Sequence, residues 1–241
     1  MKSKVYIAGD MLPKGSQMLR AKEREDIAKI GLDFYNPMDN KDINDKSKVS
    51  NEGLAERIVK ADTDAIIESD IIVIEPQPFA LGTMVELGQI KGMRDMAQMI
   101  MKTILESESK NSGSLEALHQ IEGIVESMLR KKIYPHFEDI RRFDGAGKDE
   151  EGDRRSLAIN QYVYGVCLDL SGGVGFYEWD EVLAELKKVK GNQDYWELQV
   201  AKKLKQDDIS MEFDDIDKSD VNQFSGYVRP DLHISTNKGD N

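Results

Sequence analysis

Short apolar runs alternate with segments of helical periodicity in the first part of the chain. The apolar runs cover residues 4–8, 32–35 and 71–75, and apolar residues recur at helical spacing over 16–30 and 53–68. The run at 71–75 is continuous rather than alternating, as in a parallel strand buried on both faces. This order predicts an α/β fold, a Rossmann-like or flavodoxin-like parallel sheet flanked by helices.

The pattern stays helical from residue 86 to about residue 130, apart from a polar break at 109–114. We therefore predict a helical insertion over about 92–131, made of two amphipathic stretches. The first stretch carries methionines at helical spacing, which is typical of a core or a subunit interface. These methionines are Met93, Met96, Met99 and Met101.

The second part of the chain is predicted to complete the sheet. Residues 133–138 and 162–170 are apolar enough for two further strands, and 176–189 has the periodicity of a closing helix. We expect one main domain over 1–190. Residues 191–241 become acidic and weakly periodic, which predicts an extension that is partly disordered or packs on a neighbouring subunit.

The charge balance bears on partners and location. The chain has 45 acidic and 33 basic residues, a formal net charge of −12, and such a surface repels a phosphate backbone, so we expect no nucleic-acid partner. No apolar run approaches the ~18 residues of a membrane span, and the amino terminus lacks a signal-peptide core. We therefore expect a soluble cytoplasmic protein that does not bind membranes.

The residue types that hold metals or phosphate loops do not occur in the required spacing. The histidines, His119, His136 and His233, are scattered, so we predict no metal site. The glycine-containing segment 171–175 is not followed by Gly-Lys-Ser/Thr, which favours a plain loop before a helix. The lone cysteine, Cys167, cannot form an intramolecular disulfide and is expected to be buried and inert in a strand.

Polar residues follow the predicted strands at the edge where α/β proteins bind ligands. Asp10, Asn36, Asp39 and the segment 75–86 all come at carboxyl ends of strands. Within that segment, Thr83-x-x-Glu86 has two explanations. It is the pattern of a capping box, in which each side chain bonds the other residue's amide. It also places a rigid carboxylate near a helix N-terminus, which suits a nucleophile for an anomeric carbon.

Four ordered motifs resemble the signature of the nucleoside 2-deoxyribosyltransferase family. They are Tyr6-Ile7-Ala8-Gly9, Asn36-Pro37-Met38-Asp39, Ser69-Asp70-Ile71 and Gly82-Thr83-Met84-Val85-Glu86-Leu87-Gly88. The similarity resumes at 133–141, with Asp139 and Arg141, and at Leu157-Ala158-Ile159-Asn160. It covers roughly residues 1–91 and 132–190 and leaves the predicted insertion and the tail unexplained.

The resemblance implies a role for each matched residue. Glu86 would be the nucleophile, and Asp70 the carboxyl group that assists proton movement or orients it. Asn160 would hold the sugar hydroxyls, often in the site of a neighbouring subunit. The remaining substrate-binding residues implied by the motifs are Tyr6, Gly9, Asp10, Gly82 and Thr83.

The implied activity is transfer of 2-deoxyribose from one nucleobase to another with retained configuration. A deoxyribosyl ester on Glu86 would be the intermediate, and no cofactor would be needed. The implied partners are deoxynucleosides and free nucleobases, the implied assembly is a homo-oligomer, either dimer or hexamer, and the implied role is nucleoside salvage. The range of accepted bases stays open.

One departure from the family keeps two alternatives open. Many transferases place an acidic residue six positions before the nucleophile, where this chain has Ala80. The loop also resembles the related 2-deoxynucleoside 5-phosphate N-hydrolases, for which Lys14, Ser16 and Arg20 would bind the phosphate. The second alternative is a nucleotide-binding protein that has lost catalysis with the acidic residue.

Overall fold

The computed structural model contains a four-stranded parallel sheet with helices on both faces. It describes residues 3–44, 50–108, 115–139 and 158–210. The strands are β1 (Lys4–Gly9), β2 (Asp33–Tyr35), β3 (Ile71–Glu75) and β4 (Lys132–Pro135). Their order across the sheet is β2-β1-β3-β4, and each neighbouring pair is parallel. This arrangement confirms the predicted α/β fold of the flavodoxin-like type.

Seven α-helices connect and extend these strands within the described part of the chain, with a short 3-10 helix at Pro37–Asp39. The α-helices are α1 (Lys14–Ile30), α2 (Lys41–Asn44), α3 (Leu54–Glu68), α4 (Leu81–Glu108), α5 (Leu115–Leu129), α6 (Gln161–Leu170) and α7 (Trp179–Ser210). The chain divides into two compact units, 1–194 and 195–241. Of the second unit, only residues 195–210 are described, and they are helical. Most of the predicted extension lies outside the described residues.

Each strand sends alternate side chains to two separate cores, as the pleat of a sheet requires. On one face, Tyr6 and Ala8 of β1 pack with residues of α3, α4 and α6. On the other face, Val5 and Ile7 pack with residues of α1 and α7. Full burial of each aliphatic side chain contributes about 1.5–3 kcal/mol, so these two cores fix the sheet between its helices.

The prediction of a strand at 162–170 was wrong, because this segment is helix α6. Its core-facing residues are Val163, Val166, Cys167 and Leu170, which follow helical spacing rather than strand alternation. The prediction that Cys167 is buried holds, although it lies in a helix. Burial raises the pKa of its thiol to about 12, which keeps it protonated and unreactive. The closing helix, predicted at 176–189, begins at Trp179 and extends to Ser210.

Candidate active site

The predicted nucleophile is joined to the predicted pocket tyrosine by a short hydrogen bond. Tyr6 lies in the middle of β1, and its hydroxyl donates to Oε1 of Glu86 in α4 at 2.6 Å. Burial raises the pKa of Glu86 to about 7, and the nearby charge of Asp62 acts in the same direction. The Tyr6 hydrogen bond and the charge of Arg20 oppose this rise. Glu86 is therefore a carboxyl group that changes ionisation near neutral pH.

A second carboxyl group, Asp62, belongs to the same cluster through Tyr35. The rings of Tyr6 and Tyr35 are stacked, with centroids 5.7 Å apart and planes at 9°. The Tyr35 hydroxyl donates to Oδ1 of Asp62 at 3.1 Å and accepts from Nδ2 of Asn40 at 2.9 Å. Burial raises the pKa of Asp62, while the hydrogen bond from Tyr35 lowers it. The site thus combines two carboxyl groups with two tyrosines.

A buried ion-pair group lies under the carboxyl ends of β1 and β3. Nη2 of Arg20 donates to Glu23 at 2.6 Å and to Glu75 at 2.8 Å. Nη1 of the same guanidinium donates to the carbonyl oxygen of Ala8 at 2.9 Å. A Cβ atom at Gly9 would lie 1.3 Å from this Nη1. Gly9 is therefore required by the close approach of Arg20, a structural reason that the sequence did not reveal.

This arrangement corrects the predicted phosphate-binding group. Arg20 is 1% exposed and bound to two carboxylates, so its guanidinium is not available to a substrate phosphate. Ser16 donates to Oδ2 of Asp10 at 3.3 Å. Lys14 is exposed at the start of α1. Two of the three predicted phosphate ligands are thus engaged within the protein.

Asp10 lies at the carboxyl end of β1, as predicted, and organises the loop that follows. Its Oδ1 accepts from the amide of Leu12 at 3.1 Å, and its Oδ2 accepts from Ser16. An aspartate that bonds an amide two residues ahead forms an Asx turn. The described contacts of Asp10 are therefore structural, and its predicted contact with substrate stays a prediction.

The structure does not bring Asp70 to Glu86. Asp70 precedes β3, and its Oδ2 accepts from the amide of Lys4 at 3.0 Å, which places it at the amino ends of β1 and β3. In parallel strands these ends form the edge opposite to the ligand edge. The carboxyl group that accompanies Glu86 is instead Asp62, which sequence reasoning missed. The available signal was its position three and four residues before the buried Ala65 and Ile66, on the core-facing side of α3.

The capping-box explanation of Thr83 and Glu86 was wrong. Helix α4 begins at Leu81, so both residues lie inside the helix rather than at its N-cap. Thr83 is buried, Gly82 is exposed in the first turn, and the Glu86 carboxylate bonds Tyr6 across the core. Glu86 therefore makes a tertiary contact and does not cap the helix.

Asn160 is the N-cap of α6. Its Oδ1 accepts from the amide of Tyr162 at 2.8 Å, and the residue is exposed. The predicted contact of Asn160 with the sugar in a neighbouring subunit's site stays a prediction. The predicted substrate contacts of Gly82 and Thr83 also stay predictions. Arg141 and Leu157 lie outside the described residues, and Asp139 is half-buried.

Two kinds of feature are absent from the described residues. Among them, no group of three or more His, Cys, Asp or Glu side chains is arranged to hold a metal ion. No helix in that part of the chain combines the length and apolar character needed to cross a membrane.

Comparisons with known proteins extend these observations. Residues 5–118 match the family model described as Nucleoside 2-deoxyribosyltransferase, which confirms the predicted resemblance. No curated protein matches the chain. A solved structure of a conserved protein from Enterococcus faecalis V583 is 19% identical, with a TM-score of 0.49, over 78% of this chain and 99% of that chain. A 2-deoxyribosyltransferase from Bacillus psychrosaccharolyticus is 14% identical, with a TM-score of 0.40, over 76% of this chain and 96% of that chain.

Proposed function

We propose, on the premise that this chain belongs to the nucleoside 2-deoxyribosyltransferase family over residues 5–118, that it transfers 2-deoxyribose between nucleobases. The observation that carries the proposal is the Tyr6–Glu86 hydrogen bond of 2.6 Å, beside a second carboxyl group, Asp62. Two carboxyl groups that share one proton suit chemistry at an anomeric carbon, where one acts as nucleophile and the other as acid.

In the first step, an ionised oxygen of Glu86 attacks C1 of the deoxyribose. The C1–N bond breaks, its electron pair goes to the departing base, and the base takes the proton held by Asp62. Tyr6 holds Oε1 of Glu86, which favours attack by the other carboxylate oxygen. The product of this step is a deoxyribosyl ester on Glu86.

In the second step, a nitrogen of the incoming base attacks C1 and Glu86 leaves as a carboxylate. Asp62 accepts the proton that the incoming base releases, which returns the pair to its starting state. Two inversions at C1 give retained configuration. Water attack on the ester is the competing hydrolysis, and neither step needs a cofactor.

A shared proton has a consequence for the dependence on pH. The active pair carries one proton, so activity falls when both groups are ionised and when both are protonated. Because the pKa of Glu86 is about 7 beside an ionised Asp62, the alkaline limb of kcat/KM is expected near pH 7. The acidic limb reports the second proton taken up by the pair.

The test is base exchange by the purified protein. Thymidine or deoxyinosine is incubated with and without adenine, and products are separated by liquid chromatography. Deoxyadenosine that forms only with adenine supports the transferase. Glu86→Ala and Glu86→Gln should lower turnover at least a thousandfold, while Glu68→Gln, an exposed glutamate paired with Lys4, should not.

Each alternative predicts a different product pattern. Free base released equally without an acceptor indicates a hydrolase, and a requirement for the 5-phosphate would restore the phosphate-binding interpretation. Binding of nucleosides without any product indicates a non-catalytic protein. Full activity of Glu86→Ala would remove Glu86 as the nucleophile.

The proposal includes a homo-oligomer, dimer or hexamer, with a role in cytoplasmic nucleoside salvage. Apolar side chains are exposed on the loops and the helix turns that follow β1 and β3: Leu12, Phe79, Leu81 and Val85. Burial of such residues by a neighbouring subunit would exclude water from the ester intermediate. Light scattering coupled to size-exclusion chromatography measures the assembly, and a monomer would contradict this part of the proposal.

A further inference from the structure

The contacts of Tyr35 connect the two halves of the candidate site. Its ring is stacked on the ring of Tyr6, which donates to Glu86. Its hydroxyl contacts Asp62 of α3 and Asn40, which follows the 3-10 helix. The contacts of Tyr35 thus lead to both carboxyl groups of the site, directly to Asp62 and through Tyr6 to Glu86.

The direction of the hydrogen bonds around Tyr35 is fixed by chemistry. The amide nitrogen of Asn40 carries only donors, so the Tyr35 oxygen accepts from it. The single phenolic proton is then left for Oδ1 of Asp62, at 3.1 Å. Asn40 is itself oriented, because its Oδ1 accepts from the amide of Asp42 at 3.1 Å. The chain of donors therefore runs from Asn40 through Tyr35 to Asp62.

We propose that Tyr35 is a positioning residue that holds the Asp62 carboxyl group and the Tyr6 ring in their working places for glycosyl transfer. This inference rests on the proposed function, which assigns Asp62 and Glu86 their roles. Tyr35 occupies one oxygen of Asp62 and leaves the other to carry the transferred proton. Its ring supports the flat face of Tyr6, so the hydroxyl of Tyr6 stays directed at Glu86.

The first test is Tyr35→Phe, which keeps the ring and removes the hydroxyl. We expect kcat for base exchange to fall about tenfold, the effect of one hydrogen bond to a carboxyl group, with KM within about twofold of wild type. The groups around Asp62 are Tyr35, Tyr6 and Glu86. Because the Tyr35 bond favours ionised Asp62, its removal should move the acidic limb of the pH profile to higher pH.

The matched control is Tyr177→Phe. Tyr177 is a half-buried tyrosine in edge-on contact with Tyr134 in the other core, so its hydroxyl loss should change neither kcat nor the pH profile. Asn40→Asp is a second variant that retains the acceptor for the Asp42 amide. Its carboxylate competes with Asp62 for the Tyr35 proton, and we expect the same direction of change as in Tyr35→Phe.

A double-mutant cycle shows whether Tyr35 acts through Asp62. On an Asp62→Asn background, Tyr35→Phe should cause less than a twofold further loss. An equal loss on both backgrounds, or unchanged kcat and pH profile in Tyr35→Phe, would overturn the proposal. Circular dichroism and thermal unfolding check that each variant is folded.

A readout without turnover separates this inference from the proposed function. Carbon-13 NMR of labelled aspartate carboxyl groups, assigned with Asp62→Asn, follows the titration of Asp62 directly. A higher titration midpoint in Tyr35→Phe than in wild type supports the contact, and an unchanged midpoint overturns it. If the wild-type protein shows no base exchange, only the proposed function is rejected. The NMR titration then still tests the contact between Tyr35 and Asp62.

Discussion

Tyr6 and Glu86 meet although they are 80 positions apart in the chain. The hydroxyl of Tyr6 stabilises the ionised form of Glu86, and burial favours the neutral form. The balance leaves the pKa of Glu86 at about 7. A nucleophile with this pKa is ionised in a fraction of the molecules at neutral pH. Because it is buried, solvation lowers its basicity only a little.

Tyr6→Phe should change both the height and the position of the pH profile. Without the hydrogen bond, the pKa of Glu86 rises above about 7, so the pair loses its last proton at higher pH and the alkaline limb moves up. The maximum of kcat/KM should fall at least tenfold, because without the bond a smaller fraction of the protein has Glu86 ionised while Asp62 holds the proton. Steady-state kinetics from pH 5 to 9 measure both effects.

Tyr134→Phe is the control for this prediction. Tyr134 is a buried strand tyrosine that faces the other core. The pH profile of Tyr134→Phe should therefore match that of the wild type. A Tyr6→Phe enzyme with an unshifted alkaline limb would mean that Tyr6 does not stabilise ionised Glu86.

Tyr6 and Glu86 were named together because the family resemblance implies both residues, one in the first strand and the other after the third. Their roles in the reaction stay predictions. Asp70 was misassigned because it adjoins a strand at its amino end, and sequence distance does not report which edge of the sheet a residue occupies. Asp62 was missed because it lies within a helix, where a position on the core-facing side does not by itself distinguish a site carboxylate from an ordinary surface one.

At the scale of elements, the parallel strands β1, β2, β3 and β4 were predictable from short apolar runs, whereas α6 was not. Its apolar residues are so numerous that helical and strand patterns both fit the segment 162–170. The deciding features are tertiary: Asn160 caps the segment, and Val163, Val166, Cys167 and Leu170 reach one core. Such context outweighs the β-propensity of valine and tyrosine.

Substitutions of Asn160 separate capping from substrate binding. Asn160→Ala removes the bond to the Tyr162 amide and should lower the free energy of unfolding by about 1 kcal/mol. Asn160→Ser keeps a good N-cap residue and should leave stability within about 0.5 kcal/mol. Urea unfolding measures both values.

The kinetics of Asn160→Ser then decide the predicted substrate contact. If Asn160 holds the sugar, KM for the deoxynucleoside should rise about tenfold in the stable serine variant. Unchanged KM together with unchanged stability would restrict Asn160 to its cap.

At the scale of the whole molecule, the site costs stability. The pKa of Glu86 is raised from 4.5 to about 7 in the folded protein, so the folded state holds this proton more tightly than the unfolded state. The free energy of unfolding therefore decreases as pH rises from about 4.5 to about 7. Above about pH 7, ionisation of Glu86 causes no further decrease in the free energy of unfolding.

Glu86→Gln should consequently be more stable than the wild type at pH 8, by about 2 kcal/mol after allowance for partial solvation. The difference should vanish near pH 4, where both side chains are neutral. Urea unfolding at the two pH values measures it, with Glu68→Gln as the exposed control. An inactive variant that is no more stable at pH 8 would contradict the burial of an ionised Glu86.

The guanidinium of Arg20 ties four positions of the chain to one another. A side chain larger than hydrogen at position 9 collides with it, and its loss would leave Glu23 and Glu75 buried without their cation. Substitution of any one of these residues alone should lower the free energy of unfolding. We therefore expect the four positions to vary together. In related sequences, a residue other than glycine at position 9 is therefore expected to occur together with a smaller residue at position 20 and neutral residues at positions 23 and 75.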